Sequence, residues 1–198
     1  MQVLYINLGE QKFEIKNRAD LFEKYLGGSG VATKLLLEEC PPRADALSPE
    51  NPIILAIGPL SAIFPTCTKV VAMFKSPLTN ELGESHAGGR LAAAMRFANH
   101  GAIVIKGKSP RPVYLSICDE EIKFKDASSI WGMTSAYTVG QILRKVEPGA
   151  GKRSIIRIGI AGEKKVRYAN VNVDTFRHFG RLGLGAVFGS KNLKAVVI

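Results

Sequence analysis

The chain reads as an α+β fold, and three observations carry that reading. About nine segments have strand patterning against four or five helical ones, several neighbouring strands are joined by hairpin turns, and strands do not alternate regularly with helices as a doubly wound sheet requires. With 198 residues, 46% of them hydrophobic, the chain is long enough for one domain with a buried core.

Val3, Tyr5 and Asn7 alternate with Leu4, Ile6 and Leu8, and Gly9-Glu10 turns the chain into Lys12-Phe13-Glu14-Ile15, an opening hairpin. Asp20 to Leu26 reads as a short helix closed by Gly27-Gly28. A second helix is expected from about Gly30 to Glu39, with Ala32, Leu35 and Leu36 on one face and Pro41-Pro42 as its stop. Ile53–Ile57 and 69–74 are apolar enough for buried strands, separated by a Pro-rich loop. A helix is expected over 88–99, with Leu91, Met95, Phe97 and Ala98 as its apolar positions and Gly101 as its stop, followed by a strand over 102–106. The segments 113–117 and 121–125 form a hairpin turned at Asp119-Glu120, and 135–146 a helix N-capped by Thr134 or Ser135. Strands are expected over 154–160 and 166–173, around a turn at Ala161-Gly162-Glu163. After the cluster Gly180, Gly183, Gly185 and Gly189 comes a last strand over 194–198. No internal repeat is visible. Ile198 falls inside this strand, so residues 1–198 are expected to be a single domain cut from a longer protein.

Composition removes several function classes. Cys40, Cys67 and Cys118 have no C-x-x-C spacing, which excludes a disulfide framework and a cysteine-built zinc or iron–sulfur site within these residues. The longest uncharged stretch, Pro52 to Thr68, is broken by Pro59 and Pro65, too often for a membrane helix. The first residues lack a basic region followed by an apolar core, so a cytoplasmic location without membrane contact is the expectation. The formal net charge of +10 is unevenly placed: from Arg144 onward there are twelve Lys or Arg against Glu147, Glu163 and Asp174. This last quarter points to an anionic partner.

Catalytic groups are hard to assemble. His86, His100 and His178 are far apart and in no hydrolase or zinc motif, and Cys67 reads as a buried inert thiol. Two glycine segments are more informative. Ser85-His86-Ala87-Gly88-Gly89-Arg90 runs toward a helix, offering backbone N–H groups and close approach to an anion. Arg177-His178-Phe179-Gly180-Arg181-Leu182-Gly183 places two planar, bidentate donors beside bare backbone. The spacing Gly183-x-Gly185-x-x-x-Gly189 is one residue too long for a dinucleotide fingerprint, and no β-α-β unit follows.

The run from Gly180 to Ala195, GRLGLGAVFGSKNLKA, resembles a signature of the tungsten-containing aldehyde:ferredoxin oxidoreductases. Collinear blocks at Leu26–Gly30, Leu47–Asn51, Gly58–Leu60, Lys75–Thr79, Asp126–Ser128 with Trp131-Gly132, and Ile158–Gly159 with Ala161–Glu163 extend the resemblance over nearly the whole chain. It implies the family's N-terminal domain: two packed β-sheets with flanking helices, forming a base under a tungsten or molybdenum atom held by two pyranopterins. Carried over by position, cofactor contacts fall at Lys69, at His86, Ala87 and Gly88, and at Arg177, His178, Gly180 and Arg181. The backbone carbonyls of His86 and His178 would hold a magnesium ion bridging the pterin phosphates. The sequence departs from the family pattern at Lys69, where Arg is usual, at His86, where Asn is usual, at the bulky His178 and Phe179, and at Leu182, where Gly is usual.

What the resemblance implies is an oxidoreductase oxidising aldehydes to carboxylic acids with ferredoxin as electron acceptor. The 4Fe-4S cluster of the intact protein and its ligands lie in C-terminal domains outside this chain. No catalytic residue is assigned here, and the isolated chain is expected to be inactive. Surfaces normally covered by the missing domains could pair two copies into a homodimer. Two other readings belong to different classes: a non-catalytic cofactor-binding or carrier module working with a partner subunit, and a nucleic-acid-binding domain. The sparse aromatics of the basic quarter speak against the last.

Overall fold

A computed structural model describes all 198 residues, which form twelve strands and six α-helices in two six-stranded mixed sheets. The first sheet contains β1 (Gln2–Asn7), β2 (Lys12–Asn17), β3 (Ile53–Ile57), β4 (Val70–Lys75), β5 (Leu82–Ala87) and β6 (His100–Lys106), in the order β2-β1-β6-β3-β4-β5. Helices α1 (Ala19–Tyr25) and α2 (Gly28–Glu39) precede β3, and α3 (Leu91–Phe97) precedes β6. The second sheet contains β7 (Val113–Cys118), β8 (Glu121–Asp126), β9 (Ile155–Arg157), β10 (Val171–Val173), β11 (Arg177–Phe179) and β12 (Leu193–Val197), in the order β11-β10-β9-β12-β7-β8. Here α4 (Ala136–Val146) precedes β9, α5 (Ile160–Glu163) precedes β10 and α6 (Leu184–Ser190) precedes β12. No helix is long and apolar enough to cross a membrane.

The two sheets are built on one plan. Each begins with an antiparallel hairpin, continues with a three-strand meander, and ends with a strand inserted between the two, parallel to the hairpin's first strand. The chain thus contains an internal structural duplication, residues 2–106 and 113–197, where the sequence showed no repeat. Topology is preserved because it depends only on which faces are apolar, and many sequences satisfy that pattern.

Side-chain alternation then sets the layers. In the first sheet Leu4, Ile6, Ile53, Leu55, Val70, Ala72, Ile103 and Ile105 face the second sheet, whose Val113, Leu115, Ile156, Val171, Val173 and Val196 face back, in one core of 32 buried residues. The opposite face of the first sheet, with Val3, Ile54, Ala56, Val71, Met73 and Val104, is covered by Leu21 of α1 and Val31, Ala32, Leu35 and Leu36 of α2. The opposite face of the second sheet is covered by Val139 and Leu143 of α4. Ser135 caps α4 by accepting a hydrogen bond from the Thr138 amide.

Several elements differ from the sequence reading. The expected helix over 88–99 is only Leu91–Phe97, and Ser85–Ala87 ends a strand. Phe97 is exposed rather than part of the apolar face. The expected strands over 154–160 and 166–173 shrink to Ile155–Arg157 and Val171–Val173, because the Ala161-Gly162-Glu163 turn closes into α5. Strands β5 and β11 carry too many charged, polar and glycine residues to show strand alternation. The C-terminal glycine cluster contains α6, buried at every position. Its Gly185 and Gly189, four residues apart, share one face. A methyl group at Gly185 would overlap the Asn170 carbonyl, and one at Gly189 the Gly162 carbonyl. The glycines serve close backbone packing of α6, Gly189 on α5 and Gly185 on the Ala169-Asn170 segment. Cys67 is partly exposed rather than buried.

Two buried lysines stitch the C-terminal region. Lys194 pairs with Glu163, both buried, and Glu163 also accepts a hydrogen bond from the Gly132 amide. The Lys191 amine donates to the carbonyls of Pro49 at 3.0 Å and Gly107 at 3.2 Å, tying the two halves together. Burial, with the nearby Lys106 charge, pushes Lys191 down to about 7.

Two outcomes are expected. Gly189→Ala overpacks the α5–α6 contact and should cost about 3 kcal/mol or more, or prevent folding, in thermal denaturation; Gly58→Ala, whose new methyl group meets nothing closer than 3.9 Å, should be nearly silent. For Lys191, the unfolded chain keeps the proton up to its ordinary value of 10.5 while the folded chain releases it near 7. Unfolding therefore takes up a proton between these values, and stability should rise with pH above about 7 by up to about 1.4 kcal/mol per unit. Denaturant titrations at pH 6.5 to 9.5 check this, and Lys191→Met should flatten the slope.

Candidate anion-binding site

Strands β5 and β11 are edge strands, each hydrogen-bonded to a single neighbour. Such an edge presents backbone N–H and C=O groups unused by its sheet. The fold brings the two edges together. The Arg181 amide, just past β11, donates to the buried Ser85 hydroxyl of β5 at 3.1 Å, and the buried Ser76 hydroxyl donates to the Leu182 carbonyl at 2.8 Å. Both glycine segments singled out in the sequence therefore meet at one place.

They also occupy equivalent positions in the duplicated halves. His86-Ala87-Gly88 leaves the fifth strand of the first sheet, and His178-Phe179-Gly180 leaves the fifth strand of the second. The middle residues Ala87 and Phe179 are buried, anchoring each segment to the common core, while the two histidines point outward. The bulk of Phe179 is absorbed by that core and does not crowd the site.

Between the segments lies a cleft of about 740 Å³ lined by Leu82, Glu84, Ser85, His86, Gly180, Arg181 and Leu182. A methyl group at Gly180 would meet nothing within 4 Å, so bare backbone faces open space there. Lys69 Nζ lies 4.0 Å from the point where a side chain at Gly88 would begin, and Arg177 packs beside Gly89. Lys69, Arg177 and Arg181 are exposed and take part in none of the ion pairs of the molecule. The one carboxylate in the cleft, Glu84, accepts the Ser29 hydroxyl at 2.6 Å and meets His86 Nε2 at 2.8 Å. The Ser29 bond, foremost, and the His86 contact hold its carboxyl below the usual range, so it stays ionised and hydrogen-bonded in the cleft. The cleft offers Arg181 and exposed backbone to an anion, Lys69 and Arg177 stand unpaired beside Gly88 and Gly89 further along the seam, and there is no cluster of metal-ligating side chains.

Of the residues expected from the sequence, His86, Gly180 and Arg181 line the cleft, and Lys69, Ala87, Gly88 and Arg177 adjoin it. His178 sits on the exposed side of β11 and does not line it. Sequence reasoning gave no role to Ser85, Glu84, Ser29 or Ser76, which organise the site through hydrogen bonds between segments 55 to 106 residues apart; Ser85, Ser29 and Ser76 lay in segments singled out for other reasons.

Residues 3–198 match the family described as "Aldehyde ferredoxin oxidoreductase, N-terminal domain". The chain belongs to this family. It is 44% identical over 180 residues to the tungsten-containing aldehyde ferredoxin oxidoreductase of Pyrococcus furiosus, covering 90% of this chain and 29% of that protein. It is 32% identical over 210 residues to the aliphatic sulfonate oxidoreductase, WOR-like subunit, of the same organism, covering 99% of this chain and 34% of that protein. Among solved structures it is similar to the active-site complex BamBC of benzoyl coenzyme A reductase with 1,5-dienoyl-CoA, at a TM-score of 0.92 and 33% identity, covering all of this chain and 30% of that one. The chain thus spans about a third of the length of these relatives. Two packed sheets, expected from the resemblance, are borne out.

Inorganic phosphate should bind this cleft weakly and lose affinity as salt rises. Arg181→Gln should weaken it at least tenfold, the effect of losing one charge-assisted hydrogen bond. Gly180→Ala should leave the melting temperature nearly unchanged while weakening phosphate, because its methyl group would enter the anion's space. Amide chemical-shift titration of the variants checks both.

Proposed function

We propose that this chain is the cofactor-cradling domain of an oxidoreductase that oxidises aldehydes to carboxylic acids, using a tungsten or molybdenum bis-pyranopterin centre and passing electrons to ferredoxin in the cytoplasm. The observation that carries the reading is the meeting of two equivalent His-x-Gly segments from duplicated halves. A site with that internal symmetry suits a pair of similar anionic groups, as two pterin phosphates would be. The residues fit such a group: bare backbone at Gly180, the approach at Gly88, and free cations at Lys69, Arg177 and Arg181.

When bound, the metal–pterin group supplies the two-electron redox chemistry. The chain's own part is binding and orientation. Lys69, Arg177 and Arg181 would hold the phosphates, with Lys69 acting as a point charge where the family's Arg would act as a fork. The amides around Gly88 and Gly180 would supply further donors. His86 and His178, on edge strands, would offer backbone carbonyls to a bridging magnesium ion. Residues 1–198 act as a single N-terminal domain, and the remaining two-thirds of the polypeptide supplies the iron–sulfur cluster, the acid–base groups and the opposite wall. A second reading, a module working with a separate partner subunit, is supported by one relative's being a WOR-like subunit and the solved neighbour's being an active-site complex.

One wall of a sandwiched site supplies only part of its hydrogen bonds, each worth roughly 1.5–3 kcal/mol when charge-assisted. The isolated chain should therefore contain no stoichiometric tungsten and should not reduce a viologen dye with an aldehyde. Produced together with the rest of its enzyme, it should do both, and Arg181→Gln should lower tungsten content. Stoichiometric tungsten or turnover with the isolated chain would contradict the reading.

A further inference from the structure

Leu182 lines the cleft with a backbone φ of 61°. This left-handed region is strained for an ordinary side chain of this size, and glycine adopts it freely. The strained conformation at Leu182 is imposed from three directions. Ser76 fixes its carbonyl, Ser85 fixes the preceding amide, and Gly183 is wedged against Pro77 and the Arg167 carbonyl. Glycine would satisfy every one of these backbone constraints. The leucine side chain is what the strain retains, and only part of it packs against the core. The remainder faces the same cleft as Leu82, which is 51% exposed, and both lie beside Arg181 and the open backbone of Gly180.

We infer that Leu182, with Leu82, makes the cleft selective for a phosphate carried on an apolar or aromatic organic group over a free inorganic anion. This rests on the anion-cradle reading of the same site and adds a specificity-determining contact to it. Arg181 and the glycine backbone recognise charge, which any phosphate carries; the two leucines can contact only the organic part of an ester. Burying about 40 Å² of that part against them favours an ester by about fivefold, the equivalent of about 1 kcal/mol.

The test compares inorganic phosphate and phenyl phosphate, both dianions at pH 8, by chemical-shift titration of the chain. Wild type should bind phenyl phosphate about fivefold more tightly. In L182N and L182G, which tolerate the positive φ, the preference should fall to about twofold, the share that Leu82 alone supplies, while inorganic phosphate still binds and so reports that the cleft is intact. L182M should keep the preference. Equal binding of both probes by wild type, or a preference undiminished in L182N, overturns the inference and leaves the cradle standing. Failure of wild type to bind either probe overturns both.

Discussion

Everything distinctive in this domain depends on two edge strands, β5 and β11, being held side by side. Each belongs to a different sheet, and their approach is set by the common core, where Ala87 and Phe179 are buried. Two serine hydroxyls then fix the seam, Ser85 to the Arg181 amide and Ser76 to the Leu182 carbonyl. Backbone groups that an ordinary protein would shield become the floor of a cleft. Because the seam joins segments about a hundred residues apart, the site exists only in the folded domain.

The duplication explains why the floor has two similar halves, and the side chains explain why they differ. The first half contributes Lys69 and an engaged Glu84; the second contributes Arg177 and Arg181. The basic excess of the last quarter is thus divided between a function and a scaffold. Arg177 and Arg181 remain free, whereas Lys191, Lys194 and Arg157 are buried and bind carbonyls or Glu163. Glycines divide the same way: Gly185 and Gly189 permit helix packing, and Gly180 leaves room for a ligand.

Strands such as Ile53–Ile57 and the two hairpins opening each half were legible because apolar alternation and turn residues act locally. The helix of 135–146 was legible through its Ser135 cap. Strands β5 and β11 were not, since an edge strand beside a binding cleft owes its conformation to one neighbour and needs no apolar alternation. Helix α6 was hidden because its glycines read as turn formers, while their role is close packing with α5 and the Ala169-Asn170 segment. At the site, Gly88, Gly180, Lys69, Arg177 and Arg181 were legible by residue type and by family resemblance. The hydrogen bonds of Ser76, Ser85 and Ser29 were not, because a serine's partner is decided by tertiary structure. His178 was placed correctly in the segment, and its side chain is exposed there like that of His86, yet it does not line the cleft.

The most direct measurement of the central claim is a crystal structure of the chain grown with pyrophosphate. The account predicts anion density between the ends of β5 and β11, against the Gly180 backbone and the side chains of Arg181, Arg177 or Lys69. Density confined to other basic surfaces, such as the Lys164-Lys165 corner, with the cleft between β5 and β11 holding none, would contradict it.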